Sequence, residues 1–214
     1  MGRQLNLLVD LPRKPPSGKP KASEDDVRLA QQLGEAYFDG TREQGYGGYR
    51  YDGRWRAVAR RMAAHYGLGK GSRILDVGCA KGFLVNDFLE EVPGIEAMGV
   101  DISLYALTHA VEGAKPHLAL ANAAKLPYPT GHFDLVISIG ALHNILDPKG
   151  AKAALAELQR VSRGPGFLVV GACRNDEDRA HFTVAQSVLS PDDWVSLFEQ
   201  AGYTGDYDWW FPAG

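Results

Sequence analysis

Residues 73–82 read Arg-Ile-Leu-Asp-Val-Gly-Cys-Ala-Lys-Gly, which sets a carboxylate, Asp76, two positions before a turn bounded by Gly78 and Gly82. Glycines let a ligand come against bare backbone, and a helix that starts just after them offers unpaired N–H groups and a positive dipole end. That chemistry suits a nucleotide-like guest. A second acid agrees with it: Asp101 closes the next apolar run, 95–100, where open α/β sheets place a carboxylate for ribose hydroxyls. Further on, His143 and Asn144 follow the apolar run 133–139 and Gly140, at a strand end that should face the same cleft. His143 is the candidate general base, since an imidazole can take up a proton near neutrality. A histidine that only packs there or orients another group is the competing reading.

A third group of chemically able residues lies in 37–55, which holds five glycines and six aromatics. Such a composition makes neither a stable helix nor a regular strand, so its rings must find partners by folding over something else. The segment reads as a lid in which Tyr46, Tyr49 and Tyr51 close over the ligand, with Tyr51 also a catalytic candidate. Arg50 or Arg54 would bind a carboxylate through a bidentate fork. The plainer alternative is a loop that packs its rings on the sheet edge.

Elements must hold these residues in place. The apolar run 73–77 followed by glycines and then Phe83, Leu84 and Phe88 at helical spacing predicts strand, turn, helix. Ser23-Glu-Asp-Asp26 predicts a capped helix that buries Val27, Ala30, Leu33 and Tyr37. Trp55, Val58, Met62 and Tyr66 form a second helical stripe, stopped by Gly67 and Gly69. Strands follow at 95–100, 117–120, 133–139 and 167–171, with a helix through Ala151, Leu155, Leu158 and Val161 before the last of these. Residues 174–178 read as a charged bend, and periodicity does not choose between helix and irregular lid for 180–189. Ser190-Pro-Asp-Asp193 starts a final helix, and 203–211 a last strand whose adjacent Trp209 and Trp210 must point to opposite faces.

Taken together, these motifs resemble those of the class I S-adenosylmethionine-dependent methyltransferases (methyltransferase type 11-like). Asp76 with Gly78-x-Ala80-x-Gly82 is similar to the first motif of that family, whose middle position is normally glycine; Ala80 departs from it, and its methyl is tolerable there if φ stays negative. Gly99-Val-Asp101 resembles the ribose-binding acid, residues 121–127 the adenine segment, and 132–138 the fourth strand. The resemblance implies an α/β, three-layer Rossmann-like methyltransferase fold: a mostly parallel sheet, helices on both faces, and a C-terminal sheet edge shortened or altered, because sequence for only one strand follows the last helix. It implies S-adenosylmethionine as cofactor and S-adenosylhomocysteine as product. It places Asp76, Gly78, Cys79, Ala80, Gly82, Asp101, Ile102, Asn122, Ala123 and Gly140 on the cofactor, with Asn122 standing where many members carry an adenine-binding aspartate; Asn122 as a mere chain-turning residue is the alternative. Tyr46, Tyr49, Arg50, Arg54 and Asn144 are then substrate-side residues. Members that act on nucleobase amino groups usually carry an acid, amide or serine before Pro-Pro-aromatic where 140–144 stands, and this chain does not.

Composition bounds the rest. With 214 residues and a net charge of −3, the chain is sized for one core, and no long basic block suggests a nucleic-acid surface. No apolar stretch approaches a membrane span, and the N-terminus lacks a signal-peptide core. The expectations are an extended, partly mobile arm at 1–22 docking through Leu7 and Leu8, and one domain at 23–214: helix and lid at 23–55, ligand-binding core at 56–171, substrate-side lid, helix and strand at 172–214. Cys79 and Cys173 read as free thiols, no metal-ligand cluster stands out, and the protein is expected in the cytoplasm with a small-molecule acceptor and an open oligomeric state. The expected chemistry is methyl transfer to O, N or S/Se. Two other readings are a catalytically silent S-adenosylmethionine-binding domain serving a partner protein and a nicotinamide oxidoreductase, which would want a third turn glycine.

Overall fold

A computed structural model describes residues 2–9, 11, 22–145, 147–182 and 188–211. Six strands form one sheet: β1 (Arg73–Val77), β2 (Glu96–Asp101), β3 (Leu118–Leu120), β4 (Leu135–Ile139), β5 (Gly166–Gly171) and β6 (Asp206–Trp210). Their order is β3-β2-β1-β4-β5-β6, and every neighbouring pair is parallel. Parallel strands need helical crossovers, which cover both faces and explain why β1 and β4 are apolar on both sides except at Arg73, Asp76 and Ser138. The order reverses direction at β1, so the cleft beyond the carboxyl ends of β1 and β4 is where such a sheet receives ligands.

On one face α3 (Arg56–Tyr66) and α4 (Phe83–Glu91) pack Val58, Met62, Leu84 and Phe88 against Ile74, Leu135 and Ile137. On the other, α6 (Pro148–Val161) and α8 (Pro191–Ala201) bring Leu155, Leu158, Trp194 and Phe198 against Leu75, Val136 and Leu168. Trp209 joins this second layer and stacks on Phe198, while Trp210 turns to the first and meets Phe182, as alternation along a strand requires.

The altered edge takes a definite form. β6 runs parallel to β5, and its outer side is met by the N-terminal segment: Leu5 N donates to Tyr207 O at 2.8 Å and Tyr207 N to Arg3 O at 3.0 Å. Leu7 and Leu8 are buried beside α3, so the arm is docked up to there. Its remainder, residues 10 and 12–21, lies outside the described residues, as do 183–187 of the segment left open between helix and lid.

The single N-terminal helix expected from Ser23 is two. α1 (Glu24–Ala30) has the capping box, but Leu33 enters the left-handed region at φ 52°, and α2 (Glu35–Asp39) starts anew after Gly34. The Leu33 carbonyl so freed accepts from Ser103 Oγ at 2.5 Å, at the head of α5 (Leu104–Thr108). A tertiary bond thus overrides helical periodicity. The charged bend at 174–178 is likewise the capped start of α7 (Asp176–His181), with Asn175 accepting from Asp178 N.

Trp194 ties α8 to the site end of β5 by donating from Nε1 to Gly171 O at 3.0 Å with no exposed surface. Trp194→Phe should cost about 2 kcal/mol of unfolding free energy in urea titration, from an orphaned carbonyl and lost volume. An unchanged midpoint would mean that this bond contributes nothing.

Candidate active site

The turn after β1 is held by backbone bonds. Gly78 N and Cys79 N both donate to Val100 O, at 2.8 and 3.0 Å, and Gly82 N donates to Cys79 O at 2.9 Å. Gly78 has φ 81°, and a Cβ there would come within 2.2 Å of Ala141 Cβ, so the loop after β4 closes directly on bare backbone. Ala80 also lies in the left-handed region, at φ 50°, and corrects the expectation that its methyl is accommodated at negative φ. That conformation costs about 1–2 kcal/mol for an L-residue. Burial of the methyl against Phe38 and Ala106, worth about 0.8 kcal/mol, offsets much of it.

Two carboxylates flank the turn. Asp101 accepts from Ala80 N at 2.8 Å through Oδ2 and from Ser103 N at 2.8 Å through Oδ1, which fixes its orientation with lone pairs still available. Burial raises its pKa, opposed by those N–H groups. Asp76 is 5% exposed and takes no hydrogen bond from any described residue. Burial, with the charge of Asp101 adding to it, pushes its pKa up to about 7. Asp76 opens onto a small cleft lined also by Tyr49, Trp55, Gly78, Cys79, Leu84 and Ile139. A buried carboxylate without a donor, beside backbone that admits no side chain, is a site built for a cationic group.

Segment 37–51, the lid of the sequence reading, packs beside this cleft and reaches its wall through Tyr49. Tyr46 N donates to Tyr37 O and Tyr49 N to Phe38 O, and the Tyr49 ring stacks on Phe83 with centroids 4.6 Å apart. Tyr46 and Tyr49 meet at 4.4 Å. Burial and the nearby Asp76 push the Tyr49 phenol up. The other lid candidates are placed differently. Tyr51 OH donates to Asp87 Oδ1 at 2.5 Å and accepts from Asn86 Nδ2, so it is spent on α4 and is not among the cleft-lining residues. Arg54 is exposed and forked onto Asp52, and Arg50 is exposed. Neither arginine lines the cleft.

His143 and Asn144 occupy a 3₁₀ turn after β4. Gly171 N donates to His143 Nδ1 at 3.1 Å, which assigns the proton of the neutral ring to Nε2, and burial pushes its pKa down to about 4. That arrangement makes His143 a donor, and it argues against the general-base role expected of it. Asn144 Nδ2 donates to Tyr37 OH and to Gly140 O, both at 3.3 Å, joining the lid to this turn. Asn122 Oδ1 accepts from Ala124 N at 2.9 Å, the chain-turning geometry left open by sequence, and Ala123 beside it is partly buried. Ile102 is 58% exposed beside Asp101, and Leu104 and Leu120 extend it into an apolar shoulder.

Sequence reasoning missed Trp55, taken as helix core alone, and missed Lys81 and Asp39. Lys81 Nζ lies 2.7 and 2.6 Å from the two Asp39 oxygens. Burial works to raise Asp39, but the bonds from Lys81 and Tyr105 outweigh it and hold the carboxyl below its usual range. A charged residue inside a tight glycine turn was the available signal.

Comparison with known proteins agrees with the geometry. The family model described as a methyltransferase domain matches residues 74–166. An uncharacterized methyltransferase of Schizosaccharomyces pombe is 32% identical over 136 residues, covering 55% of this chain and 48% of that protein. A demethylmenaquinone methyltransferase of Thermus thermophilus is 35% identical over 125 residues, covering 56% and 54%. The chain therefore spans about half the length of these curated relatives. Among solved structures, the Haloferax volcanii protein in complex with the Trm112 methyltransferase activator superposes with a TM-score of 0.53 at 20% identity, covering 71% of this chain and 73% of that one. No helix among the described residues is long and apolar enough to cross a membrane.

An acid whose folded pKa is raised favours the folded state below its ordinary range and loses that advantage as pH rises. For Asp76 the loss should run from about pH 4 to about pH 7 and amount to a few kcal/mol. Asp76→Asn should therefore flatten the unfolding free energy across that window and stabilise the free protein at pH 7. Parallel pH profiles for the two proteins would contradict a buried, unpartnered Asp76.

Proposed function

We propose, since the chain belongs to the class I S-adenosylmethionine-dependent methyltransferase family, that it transfers the methyl group of S-adenosylmethionine to an O, N or S/Se atom of a small-molecule acceptor. The observation that carries this reading is Asp76, buried and without a donor among the described residues, in a cleft that the glycine turn lines with Gly78 and Cys79. The residues present fit the cofactor. Asp76 would accept from the ammonium of its methionine end, and the backbone of Gly78, Cys79, Ala80 and Gly82 would lie against that end. Asp101, already oriented by two N–H groups, would receive the ribose hydroxyls. Ile102, with Leu104 and Leu120, would offer exposed apolar surface for adenine near Asn122 and Ala123, and Gly140 follows the cleft-lining Ile139.

When bound, the cofactor supplies a methyl on sulfonium that is already activated, so the chain's work is alignment and exclusion of water. Tyr46 and Tyr49 exclude water from above. His143, neutral at physiological pH with Nε2–H as donor, orients an acceptor oxygen or nitrogen and takes no proton from it. Asn144 holds the lid to the β4 turn. The composition supports a cytoplasmic setting. A second reading, a silent S-adenosylmethionine-binding domain serving a partner, draws on the Haloferax volcanii neighbour in complex with an activator.

Asp101→Asn, which keeps an acceptor but loses the charge, should weaken S-adenosylhomocysteine binding by about 1 kcal/mol or more in calorimetric titration. Unchanged affinity would remove Asp101 from the ribose. Incubation with methyl-labelled S-adenosylmethionine and pools of small molecules should move label into an acceptor. Tight binding with no transfer in any pool would favour the partner-serving reading.

A further inference from the structure

Lys81 stands out as a charge that the proposed chemistry does not use. It lies between Ala80 and Gly82, its side chain is 8% exposed, and it is absent from the cleft lining. Burying an ammonium is costly unless partners surround it. Here its hydrogen-bond acceptors among the described residues lie in the lid, both Asp39 oxygens and the carbonyl oxygen of Tyr49 at 3.1 Å, and the Tyr105 ring of α5 faces it with the centroid 6.0 Å away. Asp39 is braced in turn by Tyr105 OH at 2.8 Å from α5. The same Tyr49 sends its ring over Phe83 and into the cleft wall beside Asp76 and Trp55.

Other polar ties hold the lid at its two ends and, through Gln44 Nε2 donating to Asp26 Oδ1 at 3.0 Å, to α1. Asn144 reaches Tyr37 at one end, and Tyr51 reaches Asp87 at the other. Between them, Lys81 joins the turn to the middle of the lid. A ligand lying between the turn and Tyr49 is therefore covered by backbone that Lys81 holds down.

We propose that Lys81 is a positioning residue that clamps Tyr49 over the turn, so that ligand exchange at the cleft requires the Lys81–Asp39 pair to part. The identity of that ligand rests on the methyltransferase reading, whereas the clamp itself does not. Lys81 acts through Tyr49 and touches neither ligand nor acceptor.

The test uses Lys81→Met, Lys81→Arg and Asp39→Asn in the full chain. In ligand-free protein, hydrogen exchange at the Tyr46 and Tyr49 amides, bonded to Tyr37 and Phe38, should speed up at least about tenfold in Lys81→Met. Exchange in β1 and β4 should stay as it is, which a general loss of stability would not permit. Dissociation of S-adenosylhomocysteine, followed in stopped flow by the fluorescence of Trp55 in the cleft wall, should quicken at least about fivefold, and Lys81→Arg should restore much of both. Should Lys81→Met fail to fold, Asp39→Asn removes the same pair from the lid side and is held to the same expectations. Unaltered exchange at Tyr46 and Tyr49 in a folded variant would overturn the clamp. Failure of the unaltered protein to bind S-adenosylhomocysteine would count against the methyltransferase reading and leave the exchange result to decide the clamp.

Discussion

The site depends on one hydrogen bond from backbone to side chain: Ala80 N–H donates to Asp101 Oδ2, 2.8 Å across the gap between the first and second strands. It can form only because the turn curls back in left-handed geometry at Gly78, Ala80 and Gly82. Once curled, the turn spends its remaining amides on Val100 and Cys79 and leaves its outer surface bare. Asp101 is thereby oriented, Asp76 is left without a donor, and Lys81 is carried out toward the lid. Each feature of the site follows from that curl.

Electrostatics then select the guest. Asp76 and Asp101 share a small buried volume, and the one lysine in the turn is neutralised by Asp39. Burial and mutual repulsion keep Asp76 near half-ionised at neutral pH, so the free site is held slightly under strain and a cationic group relieves it. The tyrosine-rich lid suits this, because phenol rings wall off water while adding no charge.

Much of this was legible in the sequence. The strand, glycine turn and helix at 73–91, the acid at 101 and the parallel core could be read because period and turn chemistry are local. The irregularity of 40–55 was legible as composition, since glycines and aromatics at that density carry no regular element, although 37–39 close α2 as helix. What escaped reading depends on tertiary partners. Leu33 breaks a well-patterned helix because Ser103 captures its carbonyl. His143 becomes a donor because the Gly171 amide, distant in sequence, reaches its Nδ1. Tyr51 is drawn to Asp87 and leaves the cleft. No spacing rule announces these pairings, whereas Lys81 inside a glycine turn was visible and went unused.

The central claim is that Asp76 receives the ammonium of an adenosyl amino acid held on the turn. Calorimetric titration with S-adenosylhomocysteine and, separately, with 5′-methylthioadenosine, which lacks the amino-acid end, tests it most directly. We expect micromolar binding of the first and binding at least about tenfold weaker for the second, or roughly 1.4 kcal/mol. Equal affinity for the two, or no binding of S-adenosylhomocysteine to the folded protein, would contradict the account.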